Sequence, residues 1–271
     1  MTKQKSSELP GEDADNPGAR RAGRVQKKVS ATTCKDCPFR RNEAFRAFEP
    51  SEAVFVENFK LGELVVQPGA TILADGHDSP HLYTVLEGWT MKLKLLDDGR
   101  RQVLNFGFPG DMLGLQSALF SKMLHSVEAL TEVRLCVFDR SRIWELFEHH
   151  AGLSFDLTWL AAREESIVAD HLANVGQRSA FHRLAYVILY IFERARRSGL
   201  VRGDRMKTPV TQEHLADAMG LSAVHTSKTI KRLGAVGAVS WARGEIVVHD
   251  RALLTEIAGF DLTESPRRPF V

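Results

Sequence analysis

Apolar and polar residues follow two different rhythms along this chain, and the change comes near residue 140. From about residue 62 to 139 the apolar runs are short and broken by glycine turns: GELVVQPGATILADG, HLYTVLEGWTMKLKLLDDGRRQVLNFGFPGDMLG and HSVEALTEVRLCVFD. Runs of this length bounded by turn residues predict strands. Asp97, Asp98 and Gly99, lying between MKLKLL and RRQVLNF, mark a hairpin. The segment is expected to be an antiparallel barrel or roll.

Beyond Asp139 the apolar positions recur at helical spacing. Leu157, Leu160, Ala161, Ile167, Val168, Leu172 and Val175 fall on one stripe of a long helix, which Glu164 and His171 interrupt. Polar residues within such a seam fix register or oligomeric state. The stripe therefore predicts a dimerisation helix over 151–176, and an amphipathic helix docked on its own barrel stays open as the other reading. A further helical stretch, RLAYVILYIFERARR, stops at Ser198-Gly199.

Next comes TPVTQEHLADAMGLSAVHTSKTIKRLGAVGAVSWARGEIVVHD. Thr211 can cap a short helix that Gly220 ends, and Ser222 can cap a second one running through Leu233. Thr226, Ile230 and Leu233 then face a core, leaving Val224, His225, Lys228, Lys231 and Arg232 outward. Two short helices with a basic second face describe a helix-turn-helix, and the strand pair around Arg243-Gly244 reads as its wing. The expected organisation is a disordered polar tail over 1–30, a β-roll over 31–150, the helix over 151–176 and a winged helix-turn-helix over 177–262.

Composition sharpens this picture at one end of the chain. With 44% hydrophobic and 26% charged residues the protein looks globular, and neither a bilayer-length apolar run nor a secretory h-region is present, so a cytoplasmic location is expected. The formal net charge is only +2, yet residues 178–251 hold thirteen Lys or Arg against six Asp or Glu. That segment is where a polyanion would bind. The three cysteines, Cys34, Cys37 and Cys136, are too few and odd in number for a disulfide framework.

Barrel, long helix and winged helix-turn-helix together resemble the Crp/Fnr superfamily of bacterial transcription regulators. The resemblance rests on HLYTVLEGW at 81–89, DGRRQVLNFGFPGDMLG at 98–114, VEALTEVRLCVFDRSRIWELF at 127–147 and TQEHLADAMGLS at 211–222, four motifs in the family's order. It implies an α+β fold with a cyclic-nucleotide-binding-like roll, and a regulator rather than an enzyme. The implied partners are a second copy of the chain, double-stranded DNA with half-sites roughly 34 Å apart, and RNA polymerase, with no membrane partner.

Cyclic-nucleotide-binding relatives grip their ligand with a Gly-Glu-Leu segment and an Arg-Ser pair. The matching stretch here, GLQSALFSKMLHSVEAL, has Leu115 in place of the Glu and His125-Ser126 in place of Arg-Ser. Without the guanidinium, cyclic AMP loses its phosphate partner.

The oxygen-sensing branch resembles the chain differently, through an N-terminal cysteine run and one distant cysteine on the strand that closes the barrel. Cys34, Cys37 and Cys136 match those places, while the third N-terminal cysteine is missing and Glu43 stands there. Three readings stay open. One is an iron–sulfur cluster on the three cysteines with Glu43, Asp36, an unlocated group or an open iron site in the fourth position. Another is a thiol switch favoured by Lys35, Arg40 and Arg41. The third is cysteines that simply pack as small hydrophobes. Within the family, a regulator answering another small effector in the β-roll, or one with no cofactor, is the alternative; a C-x-x-C redox enzyme and a cyclic-nucleotide signalling module are the alternatives from other classes. His77, His81, His149, His150 and His171 are scattered singly and read as surface or packing residues rather than haem or metal ligands.

Relatives read DNA with a Glu followed by an Arg. Aligned on Gly220, this chain offers Ala223, Val224, His225 and Lys228 at the reading positions: Val224 can touch a thymine methyl, and Lys228 can donate to guanine. Thr211, Gln212 and Ser222 are expected to hold phosphates, and Lys231 and Arg232 to add sequence-independent attraction.

Overall fold

The computed structural model describes residues 26–28, 32–259 and 269. Most of the tail expected over 1–30 lies outside the described residues; within it, Gln26–Lys28 forms a strand, β1. The roll then continues through α1 (Pro50–Phe59), β2 (Lys60–Val66), β3 (Thr71–Leu73), β4 (His81–Glu87), β5 (Thr90–Leu95), β6 (Arg101–Gly107), β7 (Met112–Leu113), α2 (Leu115–Phe120), β8 (Ser126–Ala129) and β9 (Val133–Asp139). Its strands form two antiparallel sheets, ordered β1-β2-β9-β4-β7 and β3-β8-β5-β6. Asp97-Asp98-Gly99 sits in the loop joining β5 to β6, with Gly99 at φ +81°.

The period-2 geometry of strands decides how β4 is buried. Leu82 and Leu86 point outward into an apolar cluster with Phe59, Phe138 and the cysteine segment. Tyr83 and Val85 point the other way and pack with Leu113, Val127 and Leu135. Both faces of β4 are covered, so its middle five residues are buried in succession.

After α3 (Ile143–His149) comes the long helix α4 (Ala151–Gln177), about 40 Å at 1.5 Å per residue. It presents two apolar faces rather than one stripe. Leu157, Leu160 and Ile167 are buried against the protein's own roll. Glu164 accepts from Lys92 Nζ on β5 at 2.6 Å, and His171 Nδ1 lies 3.0 Å from the Leu104 carbonyl on β6. These five expected dimer-seam residues are thus occupied within the chain. Val168 and Leu172 are 49% and 71% exposed, and Ala161, Ala162 and Ala169 are exposed with them. The correction has a simple cause: neighbouring rows i+3 and i+4 merge into one broad stripe when a helix is apolar on both sides.

The C-terminal unit comprises α5 (Ala180–Arg197), β10 (Arg205–Lys207), α6 (Gln212–Met219), α7 (Ala223–Ala235), β11 (Val239–Ala242), β12 (Glu245–Val248) and α8 (Arg251–Ala258). Its core is continuous with the outer face of the roll: Trp89, Met91, Val103 and Phe106 join one apolar cluster with α5, α7 and α8. Residues Leu184 to Phe192 are buried without interruption, which is expected of a helix covered on all sides. A buried polar link crosses the same junction. Arg194 donates to Asp111 at 2.6 and 2.8 Å and to Tyr190 Oη at 3.0 Å, and Tyr190 Oη donates to Asn105 Oδ1 at 2.8 Å.

Candidate functional site

The reading unit is built by caps and one glycine. Thr211 Oγ1 accepts from His214 N at 3.2 Å, and Thr211 N donates to His214 Nδ1 at 3.2 Å, closing a capping box on α6. Gly220, in the left-handed region at φ +63° and ψ +41°, ends α6, and Leu221 N returns to the Ala216 carbonyl at 3.0 Å. Ser222 Oγ then accepts from His225 N at 3.2 Å and starts α7. Substituting the cap serine would cost about 1 kcal/mol.

Along α7, Thr226, Thr229, Ile230 and Leu233 are buried. Ala223, Val224, His225, Lys228, Lys231 and Arg232 are exposed, Val224 to 64%. The helix from Ala223 to Ala235 contains no acidic residue. Its outer face is therefore positive and unopposed, with the apolar Val224 in its first turn. Arg232 is partly engaged, its guanidinium lying 5.1 Å from the Phe181 ring centroid. Thr211 and Ser222 use their oxygen lone pairs in capping, which leaves each hydroxyl hydrogen free to donate to a phosphate. The wing turn is Arg243-Gly244, both residues at positive φ (52° and 74°), joining the registered pair Ala242 and Glu245. The chain's motif had no signal for β10, which completes a three-stranded sheet beside the wing.

The register of β2 against β9 creates the second site. Cys136 on β9 faces Glu63 across β2 and Thr84 across β4, and it shares an apolar cluster with Cys34, with Cys37 packed against it. All three expected cysteines therefore gather, around a residue that sequence reasoning missed. Lys60 Nζ donates to the Thr32 carbonyl at 2.7 Å, to Glu63 Oε1 at 2.8 Å and to the Cys136 thiol. Glu57 accepts from Cys34 N at 2.6 Å and from its thiol. Burial, reinforced by Glu57, pushes the Cys34 thiol up to about 12. Burial pushes Cys136 up to about 12 as well, against the pull of Lys60. Cys37 is raised too, again chiefly by burial, although the Phe39 and Arg40 amides and Lys60 oppose the rise.

These residues do not fit an iron–sulfur cluster as they stand. Clusters usually take four cysteine ligands, and only three cysteines gather here. Glu43 is exposed and lines a cavity elsewhere, with Leu115 and Arg197, so it is not placed as a fourth ligand. Asp36 is exposed and bonded to Thr33 Oγ1 at 2.8 Å. Among the described residues no three His, Cys, Asp or Glu side chains stand where they could hold a metal ion. The cationic neighbours expected to activate a thiol lose to desolvation.

The cyclic-nucleotide segment lines that cavity, which lies between the roll, α4 and the end of α5 and measures about 950 Å³. Leu115 and His125 are on its wall. Desolvation, with Lys92 nearby, lowers His125 to about 4, so it is neutral and cannot replace a phosphate-binding arginine. Of the singly scattered histidines, His171 packs edge-on to Tyr190 at 5.2 Å and His150 lies 4.2 Å from the Phe55 ring, both as packing residues. Among the described residues no helix is long and apolar enough to cross a membrane.

Comparison with known proteins agrees with this architecture. Residues 63–150 match the cyclic nucleotide-binding domain family and residues 182–257 the Crp-like helix-turn-helix domain family. The chain is 31% identical to the nitrogen fixation regulation protein FixK of Bradyrhizobium diazoefficiens over 228 residues, 83% of this chain and 93% of that protein. It is 24% identical to the transcriptional activator protein FnrL of Cereibacter sphaeroides, over 84% of this chain and 92% of that one. The solved structure of FixK2 from Bradyrhizobium japonicum superimposes with a TM-score of 0.65, covering 75% of this chain and 98% of that chain at 24% identity, a likeness of fold.

Proposed function

Because this chain belongs to the Crp/Fnr family of DNA-binding transcription regulators, a family of regulators and not of enzymes, we propose that it acts as a homodimer on a pseudo-palindromic operator under redox control. The observation that carries the DNA reading is the acid-free outer face of α7, held over a core of Thr226, Ile230 and Leu233. Val224 and Lys228 read base edges, while Thr211, Gln212, Ser222 and Lys231 hold phosphates. RNA polymerase is the partner through which bound protein alters transcription. The second copy packs on the exposed face of α4, where Ala161, Val168 and Leu172 repeat at coiled-coil spacing.

The control element is the cysteine cluster, working through thiol chemistry. Cys37 is the least buried of the three, and the Phe39 and Arg40 amides and Lys60 work against the rise of its thiol, so its small thiolate fraction reacts first with a peroxide; a buried neighbour, Cys34 or Cys136, then closes a disulfide. The two thiols give up two protons and two electrons, and hydrogen peroxide, its O–O bond broken, leaves as two waters. A bridge to Cys136 would tie the N-terminal segment covalently to β9 and remove the thiol to which Lys60 donates.

Gel shifts of reduced and peroxide-treated full-length protein, with peptide mapping of the disulfide, test this control. The expected result is DNA affinity that changes on oxidation in the wild type and does not change in the Cys37→Ser variant. Equal affinity of both wild-type forms, with all three thiols still free, contradicts it.

A further inference from the structure

The cavity between the roll and α4 is unlike a nucleotide site in how its charges are placed. Its body is apolar: Met112, Leu113, Met123, Ile167 and Trp159 line it, and Leu119, Phe120 and Leu124 stand at its wall with 52%, 63% and 48% of their surface exposed. At about 950 Å³ it lies at the upper end of small-molecule pockets. The wall where a nucleotide phosphate would sit offers only neutral His125. Lys92, deeper in, is already paired with Glu164.

The available positive charge is at the other end, where α4 meets the last turn of α5. Arg194 and Arg196 are paired with Asp111 and Glu193. Arg163 and Arg197 line the same cavity and form no ion pair with any described acidic residue within 4.0 Å. Partial burial, then the crowding of Arg163, Arg196 and Arg194 against the pull of Glu193, weakens the hold of Arg197 on its proton. Glu43 and Glu165 also line the cavity and are exposed. Neither is bonded to these two guanidinium groups. An arginine pair with no carboxylate bonded to it, facing an apolar hollow, is complementary to an amphipathic anion.

We propose that this cavity binds a medium-chain carboxylate, its chain lying along Leu119, Phe120, Leu124 and Trp159 and its head group held by Arg163 and Arg197. Arg163 belongs to α4 and Arg197 to the helix that opens the DNA-binding unit. A head group bridging them therefore ties the two together, and ligand occupancy sets their relative position. None of the three cysteines lines the cavity, so this input stands whether or not that cluster is redox-active.

The test uses the reduced full-length protein and dodecanoate below its micelle concentration, followed by calorimetry and by tryptophan emission, with Trp159→Phe identifying the reporting ring. Dodecanol and dodecyltrimethylammonium control for the head group, and acetate controls for the chain. The expected result is saturable dodecanoate binding that weakens roughly tenfold in both Arg163→Gln and Arg197→Gln, with dodecanol similarly weak and the cation and acetate not bound. Thermal melts and circular dichroism establish that the variants are folded, and Lys122→Gln, outside the cavity lining, serves as a charge-matched control that binds as the wild type does. Absence of saturable dodecanoate binding, equal binding of the alcohol or the cation, or wild-type affinity in the double arginine variant would overturn the proposal.

Discussion

Lys60 and Glu63 form an ion pair of 2.8 Å, shut away from water on the sheet that carries Cys136. Their side chains are 6% and 0% exposed, so neither charge has solvent to fall back on. Removing Lys60 leaves the buried Glu63 carboxylate with only the Thr32 amide at 2.8 Å and the more distant Arg134 at 3.6 Å. Lys60→Met should therefore destabilise the protein by about 3 kcal/mol, and the double variant Lys60→Met, Glu63→Gln should recover much of that loss. Urea titration of the three proteins measures it; additive losses would mean that the pair is not coupled.

A second prediction concerns pH. His125 titrates at about 4 in the folded protein, because burial and Lys92 disfavour its cation, and near 6.5 when unfolded. The unfolded chain then binds the extra proton first as pH falls. Stability from this group is complete above about pH 6.5 and declines as pH drops toward 4, by about 2 kcal/mol after allowance for partial solvent screening. The melting temperature of His125→Gln should fall less than that of the wild type between pH 7 and 5. Parallel curves would remove His125 from the account.

DNA binding should separate the two lysines of α7. Lys228→Ala is expected to cost about 1–3 kcal/mol on the preferred site and to relax preference at one base position. Lys231→Gln should weaken all sequences alike and lower the slope of log affinity against log salt by about 1. Fluorescence anisotropy across a salt series distinguishes them, and identical behaviour of the two variants would refute the assignment.

The exposed face of α4 makes its own prediction. Leu172→Glu places a charge where a second copy is to pack, and Leu172, 71% exposed, gives up little burial in its own fold. The variant should be folded and monomeric by sedimentation, and its operator affinity should drop at least roughly tenfold. A dimer of unchanged stability would move the interface elsewhere.

What could be read in advance depended on how local each signal was. The helix-turn-helix was legible because Gly220, the two capping hydroxyls and the spacing of Thr226, Ile230 and Leu233 all lie within one short segment. The three cysteines were legible by type and position. Lys60 was not, because only the β2–β9 register brings it to Cys136. Glu43 was chosen as a fourth ligand by sequence distance, and the turn after Arg41 carries it to the cavity side instead. The α4 stripe misled for a different reason. A helix buried on one side by its own roll and apolar on the other shows one broad pattern, and 3.6 residues per turn cannot assign Leu157 and Ala161 to separate faces without the neighbouring elements.

The central claim, a two-fold protein reading a two-fold site through α7, is tested most directly by selecting bound sequences from a random duplex pool with the reduced full-length protein. The account predicts enrichment of an inverted repeat whose half-sites lie about one helical turn apart, roughly 34 Å, with Lys228→Ala losing preference at the same position in both halves. Enrichment of a single asymmetric site, or of no sequence at all, would contradict it.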